Sequence, residues 1–185
     1  IRAEEALHTE KQRFQSLSEN APFGMMMIDQ EGHFKYINPK FIELFGYDLK
    51  DVPNGKEWFR KAYPDSTKRH HVISTWIKDL ERFKPGEKRS RTFAATCKDG
   101  TEKIINFIPV QLETGENLMT CEDITERERA VEALRESEER YRTILENIED
   151  GYYETDLPGN LTFFNDSLCR MLGYSRDEMM GMPNK

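Results

Sequence analysis

The sequence has no excess of basic charge: 34 Asp and Glu stand against 27 Lys and Arg, a formal charge of −7 in 185 residues. Binding a phosphate backbone calls for a basic face, so nucleic acid is excluded as a partner. Long apolar runs are missing as well, so no part of this segment is expected to insert into a membrane. The opening "IRAEEALHTEKQRF" has no apolar stretch of the signal-peptide kind. Cysteines are few: Cys97, Cys121 and Cys169 are odd in number and far apart, which fits neither a disulfide framework nor a zinc site. A reducing, cytoplasmic setting is expected, although a parent protein could be anchored elsewhere. There is no phosphate-binding loop, HExxH pair, nucleophile elbow or set of kinase catalytic loops, so no enzyme activity is expected of this chain. His8 lacks the flanking residues of a phosphoacceptor box and reads as a surface histidine.

What the sequence does have is a repeat. "ENAPFGMMMIDQEGHFKYINPKFIELFGY" at 19–47 returns as "ENIEDGYYETDLPGNLTFFNDSLCRMLGY" at 146–174. The pairs Gly24/Gly151, Asp29/Asp156, Gly32/Gly159, Asn38/Asn165 and Gly46/Gly173 are each 127 positions apart, with no gap. "RAEEAL" and "RAVEAL" extend the match upstream in the same register. A period this long indicates tandem domains, since solenoid repeats run about 20–50 residues. Gly32 and Gly159 fall where a turn between two strands needs a positive φ, and "LPGN" reads as a type II turn centred on Pro158 and Gly159. Asn38 and Asn165 are N-caps, and Pro39 suits the first helical position. Gly46 and Gly173 then end the short helix in the left-handed region.

The first copy continues. A helix from about Ser66 sets Val72, Ile73, Trp76, Ile77, Leu80 and Phe83 on one face, and "KPGE" breaks it. Three strand-like runs follow, "RSRTFAATC", "TEKIINFIPVQLE" and "NLMTCEDIT", joined by hairpin turns at "KDG" and "TGE". The order predicts an α+β fold: a five-stranded antiparallel sheet with helices on one face, flanked by N- and C-terminal linker helices. On "KIINFIPVQL", Ile104, Ile108, Val110 and Leu112 share one side and Ile105 and Phe107 the other, so both faces of the sheet are expected to be covered. The lead-in helix around Leu7, Phe14 and Leu17, alone or with a partner's copy, is the expected cover for the outer one. Thr125 and Glu128 form a predicted capping box, after which Val131, Leu134, Glu138, Tyr141, Leu145 and Ile148 make a coiled-coil seam interrupted at Glu138.

The order of these parts, with "YINPKFIELFGY", "KDG" and the closing "DITERERA", resembles a PAS domain with its C-terminal PAC motif, as found in multi-PAS bacterial and archaeal sensor proteins, most often sensor histidine kinases. The resemblance implies an N-terminal linker helix at 1–18, a PAS/PAC domain at 19–125, a connecting helix at 126–145 and the incomplete start of a second PAS domain at 146–185. That last piece is expected to be mobile or to borrow a neighbour's surface, because a hairpin and one helix cannot offset their ordering entropy. The function implied is that of a sensory and dimerisation module in a two-component histidine kinase or a diguanylate cyclase whose catalytic domain lies outside this chain. By the same resemblance, Asp123, Ile124 and Thr125 carry the hinge: Asp123 holds the exit by a polar contact, Ile124 plugs the core and Thr125 caps. Leu134 and Tyr141 continue the relay along the exit helix.

The expected partners are a second copy, through the linker helices or the outer sheet face, and downstream PAS and output domains. No cofactor is the first expectation. A small organic ligand is the next, in a pocket of Met26, Ile28, Phe41, Trp76 and Phe93 with Asn106 as its polar group; plain core packing of the same residues is the competing reading. Haem is a further alternative, with His70 or His71 as iron ligand for gas or redox sensing. A ligand-free interaction and relay domain is the last. Photoreactive flavin binding is not expected, because Cys97 and Cys121 fall on strands.

Overall fold

The computed structural model describes the backbone of residues 2–82 and 90–180 and the side chains of 8–79, 82 and 90–180. The expected contributions of Leu7, Leu80 and Phe83, and the break at 84–87, lie outside the described residues. The chain divides into two compact units, 1–128 and 129–185.

The first unit begins with helix α1 (Arg2–Glu19), then strands β1 (Gly24–Ile28) and β2 (Phe34–Ile37). Short helices α2 (Pro39–Phe45) and α3 (Gly55–Ala62) lead into the longer α4 (Ser66–Arg82). Strands β3 (Arg91–Thr96), β4 (Glu102–Gln111) and β5 (Asn117–Asp123) complete a sheet of order β2-β1-β5-β4-β3. Every pairing is antiparallel, as the hairpin turns require. β5 pairs with both β1 and β4, so the last strand to be made joins the first hairpin to the second.

Local signals explain these elements. Asn38 is extended, its side chain accepts the Phe41 amide, and Pro39 occupies the first turn, while Gly46 at φ 75° ends α2 as a left-handed cap does without a Cβ clash. Asn54 caps α3 in the same way through Glu57. The first hairpin closes with the Gly32 amide on the Asp29 carbonyl, and its twin with the Gly159 amide on the Asp156 carbonyl. Pro158 and Gly159 are therefore the third and fourth residues of that turn, one place later than a type II centre. The positive φ of Gly32 and Gly159 follows the turn, a backbone conformation that glycine enters without strain. The register shift of each hairpin lies further along, where Lys35 and Thr162 are the extra residues.

The core lies between the inner sheet face and α2–α4. Phe41, Phe45, Trp58, Tyr63, Val72, Ile105, Phe107 and Cys121 are all buried there. Ile77 departs from the expected apolar face of α4 and is 51% exposed. The opposite sheet face carries Ile104, Ile108 and Val110, each half-buried. α1 touches that face at Tyr36, with the Phe14 ring 5.8 Å away and the Ser18 and Tyr36 hydroxyls 2.7 Å apart.

Helix α5 (Thr125–Asn147) runs on from β5. The second unit holds its C-terminal part, then β6 (Tyr153–Thr155), β7 (Leu161–Phe164), α6 (Asp166–Leu172) and α7 (Arg176–Met179). Leu145, Phe164 and Met179 are its buried apolar residues among those described. The expected seam is thus shortened: Val131, Leu134 and Tyr141 are exposed, but Leu145 turns into the second unit, and Ile144 stands exposed beside it.

Candidate functional site

A cavity of about 320 Å³ opens between the sheet and the helices of the first unit. Strand residues Met26, Ile28, Phe107, Pro109 and Met119 form one wall; Trp58, Phe59, Tyr63 and Trp76 form the other. Both tryptophans of the sequence line it. Gln30, Gln111 and Asn117 give one region hydrogen-bonding capacity. Asp79 also lines it, is buried, and receives two hydrogen bonds from the Arg91 guanidinium at 2.7 Å each. That fork matches a carboxylate in geometry and charge, and it holds Arg91 above the usual guanidinium range. Burial raises the Tyr63 hydroxyl well above the ordinary phenol value, so Tyr63 stays protonated and keeps a hydrogen to donate.

Of the pocket residues expected from the sequence, Met26, Ile28 and Trp76 line the cavity. Phe41, Phe93 and Asn106 do not. Phe41 is fully buried behind the wall, with its ring 5.5 Å from Trp58. Phe93 backs Trp76 and Phe107 at 5.9 and 6.4 Å. Asn106 faces the other way: with Ile105 and Phe107 buried on either side of it, strand alternation points its side chain to the outer face. Both faces of β4 are apolar, so its facing was not legible in its own sequence. Trp58, Phe59 and Tyr63 were missed because α3 was not resolved from its neighbours; the Asn54 cap before "GKEWFRKAY" was the available signal.

Haem does not fit. His70 and His71 are both exposed, on a shallow surface dent with Ser66, Thr67 and Ser74, and neither lines the apolar cavity. An iron ligand for a buried macrocycle has to face the pocket that holds it.

The exit of the sheet is built around Thr125. Its hydroxyl accepts the Ile104 amide at 2.8 Å and donates to Asp123 Oδ1. The same Asp123 oxygen accepts the Thr125 amide at 3.0 Å, and the Ile124 amide donates to the Ile104 carbonyl. The expected capping box is therefore replaced: Asp123 caps the first turn, and the Thr125 hydroxyl ties that turn to β4. Ile124 is only half-buried and lies outside the core cluster, so it does not plug the core. Lys103 completes the knot, with its ammonium 3.6 Å from Asp123 and donating to the Leu44 carbonyl at 2.9 Å. Burial alone would raise the Asp123 carboxyl; the Thr125 and Lys103 contacts outweigh it and hold the group below its usual value. In α5, Tyr141 is half-exposed and its hydroxyl lies 3.3 Å from that of Tyr152.

Comparison with known proteins fits this geometry. A family model for the PAS domain matches residues 12–79 and again 139–184, once in each unit. The chain belongs to the PAS domain family, the sensory domains of signalling proteins such as histidine kinases and diguanylate cyclases. Sporulation kinase E of Bacillus subtilis is 26% identical over 162 residues, which cover 87% of this chain and 21% of that protein. The probable diguanylate cyclase DgcE of Escherichia coli is 26% identical over 148 residues, covering 78% of this chain and 13% of that protein. The chain thus spans about a fifth or less of these relatives. Among solved structures, the PAS domain of an HTR-like protein from Haloarcula marismortui superposes with a TM-score of 0.53 at 22% identity, over 66% of this chain and 98% of that one. A PAS domain from Colwellia psychrerythraea gives 0.51 at 22% identity, over 64% and 98%. Among the described residues, no helix is long and apolar enough to cross a membrane.

Proposed function

We propose that this chain is the signal-input segment of a longer kinase or cyclase, and that the state of its first cavity is passed through Asp123 and Thr125 to α5. The observation that carries this reading is that one strand holds both ends of the route. β4 puts Phe107, Pro109 and Gln111 into the cavity, and a few residues earlier its Ile104 amide is bound by the Thr125 hydroxyl. A shift of β4 around a ligand therefore acts directly on the first turn of the exit helix. The ligand this cavity suits is a small organic molecule with an apolar body and a polar group for the Gln111 and Asn117 side. The exposed strip of Val131, Leu134 and Tyr141 on α5 is where a second copy would pair in a homodimer. The setting of such a segment is the cytoplasm.

Filling the cavity from within tests the route without knowing the ligand. Ile28→Phe adds volume at the sheet wall and is expected to change amide exchange in the first turn of α5. The same substitution with Thr125→Val, which removes the hydroxyl but keeps the shape, is expected to leave that turn unresponsive. An α5 whose exchange is the same in Ile28→Phe and wild type, with the cavity demonstrably filled, would sink the proposal.

A further inference from the structure

Asn38 and Asn165 do more than cap. Both are fully buried, and each side chain makes four hydrogen bonds. Asn38 Oδ1 accepts from the Met25 and Phe41 amides at 2.7 and 2.9 Å. Its Nδ2 donates to the Ser18 and Phe23 carbonyls at 2.9 and 3.1 Å. Asn165 Oδ1 accepts from Tyr152 and Leu168 at 2.9 and 3.0 Å, and its Nδ2 donates to Leu145 and Asp150 at 2.7 and 2.9 Å. Every partner in one set lies 127 positions from its counterpart in the other, so two units with different neighbours build the same clamp. The orientation of each amide is fixed, because flipping it would set donors against the two amides and the oxygen against the two carbonyls.

The capping role needs only one acceptor, which Ser, Thr or Asp supplies equally well. What only the amide explains is the pair of donors, and one of them reaches the last turn of the helix that leads into the unit: Ser18 in α1, Leu145 in α5. We propose that Asn38 and Asn165 are the positioning residues through which each PAS unit reads its incoming helix. Each joins that helix to the first strand and to the short helix in a single side chain, so the helix cannot shift or rotate without carrying them or breaking the clamp. In the first unit the route continues inward. The Phe41 amide is held by Asn38, and the Phe41 ring packs against Trp58, which lines the cavity. In the second unit the incoming helix is α5, so the helix that leaves Thr125 is the one that Asn165 grips at Leu145. The inference goes beyond the cavity-to-exit route: it concerns how a signal enters a unit, and it stands whether or not the cavity binds anything.

The 185-residue chain supplies its own control, because each clamp can be altered while the other is kept. Asn38→Ser preserves a capping oxygen for Phe41, but its single short hydroxyl cannot also take the place of Nδ2 at the Ser18 carbonyl. In this variant the amides of Asn20 and Ala21, at the end of α1, are expected to exchange about tenfold faster, as for one lost buried hydrogen bond, while β4 and β5 keep wild-type protection. Asn165→Ser is expected to do the same at the end of α5 and to leave α1 unchanged. Coupling is read by tryptophan emission. Leu17→Gly loosens the last α1 turn from a position that is 70% exposed, and is expected to shift the emission in the wild-type background but not together with Asn38→Ser. Wild-type exchange at Asn20 and Ala21 in Asn38→Ser would overturn the proposal, leaving a cap and nothing more. So would uniform loosening of the whole first unit, which marks a general support, or additive emission shifts, which mark a route that bypasses Asn38.

Discussion

The two units start alike and bury differently. In the first, α2 is capped by Asn38 and closed by Gly46, and its Leu44 and Phe45 are buried. In the second, α6 is capped by Asn165 and closed by Gly173 with the same left-handed geometry. Yet Met171 and Leu172, at the matching positions, are 66% and 54% exposed. Caps, turns and the asparagine clamp are settled within about thirty residues of sequence, and they form in both copies. Burial of the short helix is a different matter: the first unit sets it against α3 and five strands, while the described residues of the second give it a two-stranded sheet. Among the described residues the local geometry is therefore the same in both units, whereas the burial of the matching helix differs.

That contrast is broken most sharply by truncating matched residues. Phe45→Ala removes a fully buried ring that stacks on Phe107 and meets Trp58, and is expected to cost about 3–5 kcal/mol. Denaturant unfolding followed by tryptophan emission reports it, because both tryptophans belong to the first unit. Leu172→Ala is expected to change the second unit by no more than about 0.5 kcal/mol, as exposed substitutions generally do, measured by amide exchange in β6 and β7. A comparable loss at both positions would mean that Leu172 is buried in solution by something other than the described residues.

The two closing glycines give a smaller and finer contrast. Both have φ 75°, so alanine at either is strained by about 1–2 kcal/mol. At Gly173 a Cβ would meet nothing among the described residues within 4 Å, but at Gly46 it would lie 3.0 Å from the Lys98 Cβ. The Lys98 amide is bound to the Phe45 carbonyl at 2.8 Å, so that neighbour has little freedom to move. Gly46→Ala is therefore expected to destabilise its unit more than Gly173→Ala does. Equal losses in thermal unfolding would show that the Lys98 side of the first unit yields.

Much of this was legible in the sequence, for reasons that differ by element. The repeat, the asparagine caps and the closing glycines are local, and their residue types have few other uses. The order of strands and helices followed from hairpin turns that each need a glycine at positive φ, such as Gly100 and Gly115. Side-chain facing was less accessible. β4 is apolar on both sides, so nothing in "KIINFIPVQL" distinguishes Asn106 from Phe107 until β5 and α4 are in place. The same limit hid the second roles of short polar side chains. Thr125 looked like a cap because a capping pattern surrounds it, but its hydroxyl is taken by an amide from β4, 21 positions earlier. Asn38 showed its acceptor in the sequence and kept its donors hidden, since Ser18 and Phe23 are brought to it only by the fold.

The smallest expected difference lies in acid. Asp29 and Asp156 shape equivalent turns, but the first also receives the Lys35 ammonium at 2.9 Å. Lys35, with help from the His33 amide and against the opposing effect of burial, holds the Asp29 carboxyl far below the usual range. Asp156 has the Asn160 side chain and amide, which lower it without a formal positive charge. A carboxylate depressed by folding contributes stability that is complete above its unfolded value, about 3.9, and is lost as pH falls through the folded value. The second hairpin is therefore expected to lose its contribution at a higher pH than the first on acid titration. Carboxyl chemical shifts of the two aspartates, followed by NMR, separate the curves, and Lys35→Ala should move Asp29 up toward Asp156. If the two already titrate together in the wild type, Lys35 does not hold Asp29 in solution, and the charge difference between the copies is confined to the surface.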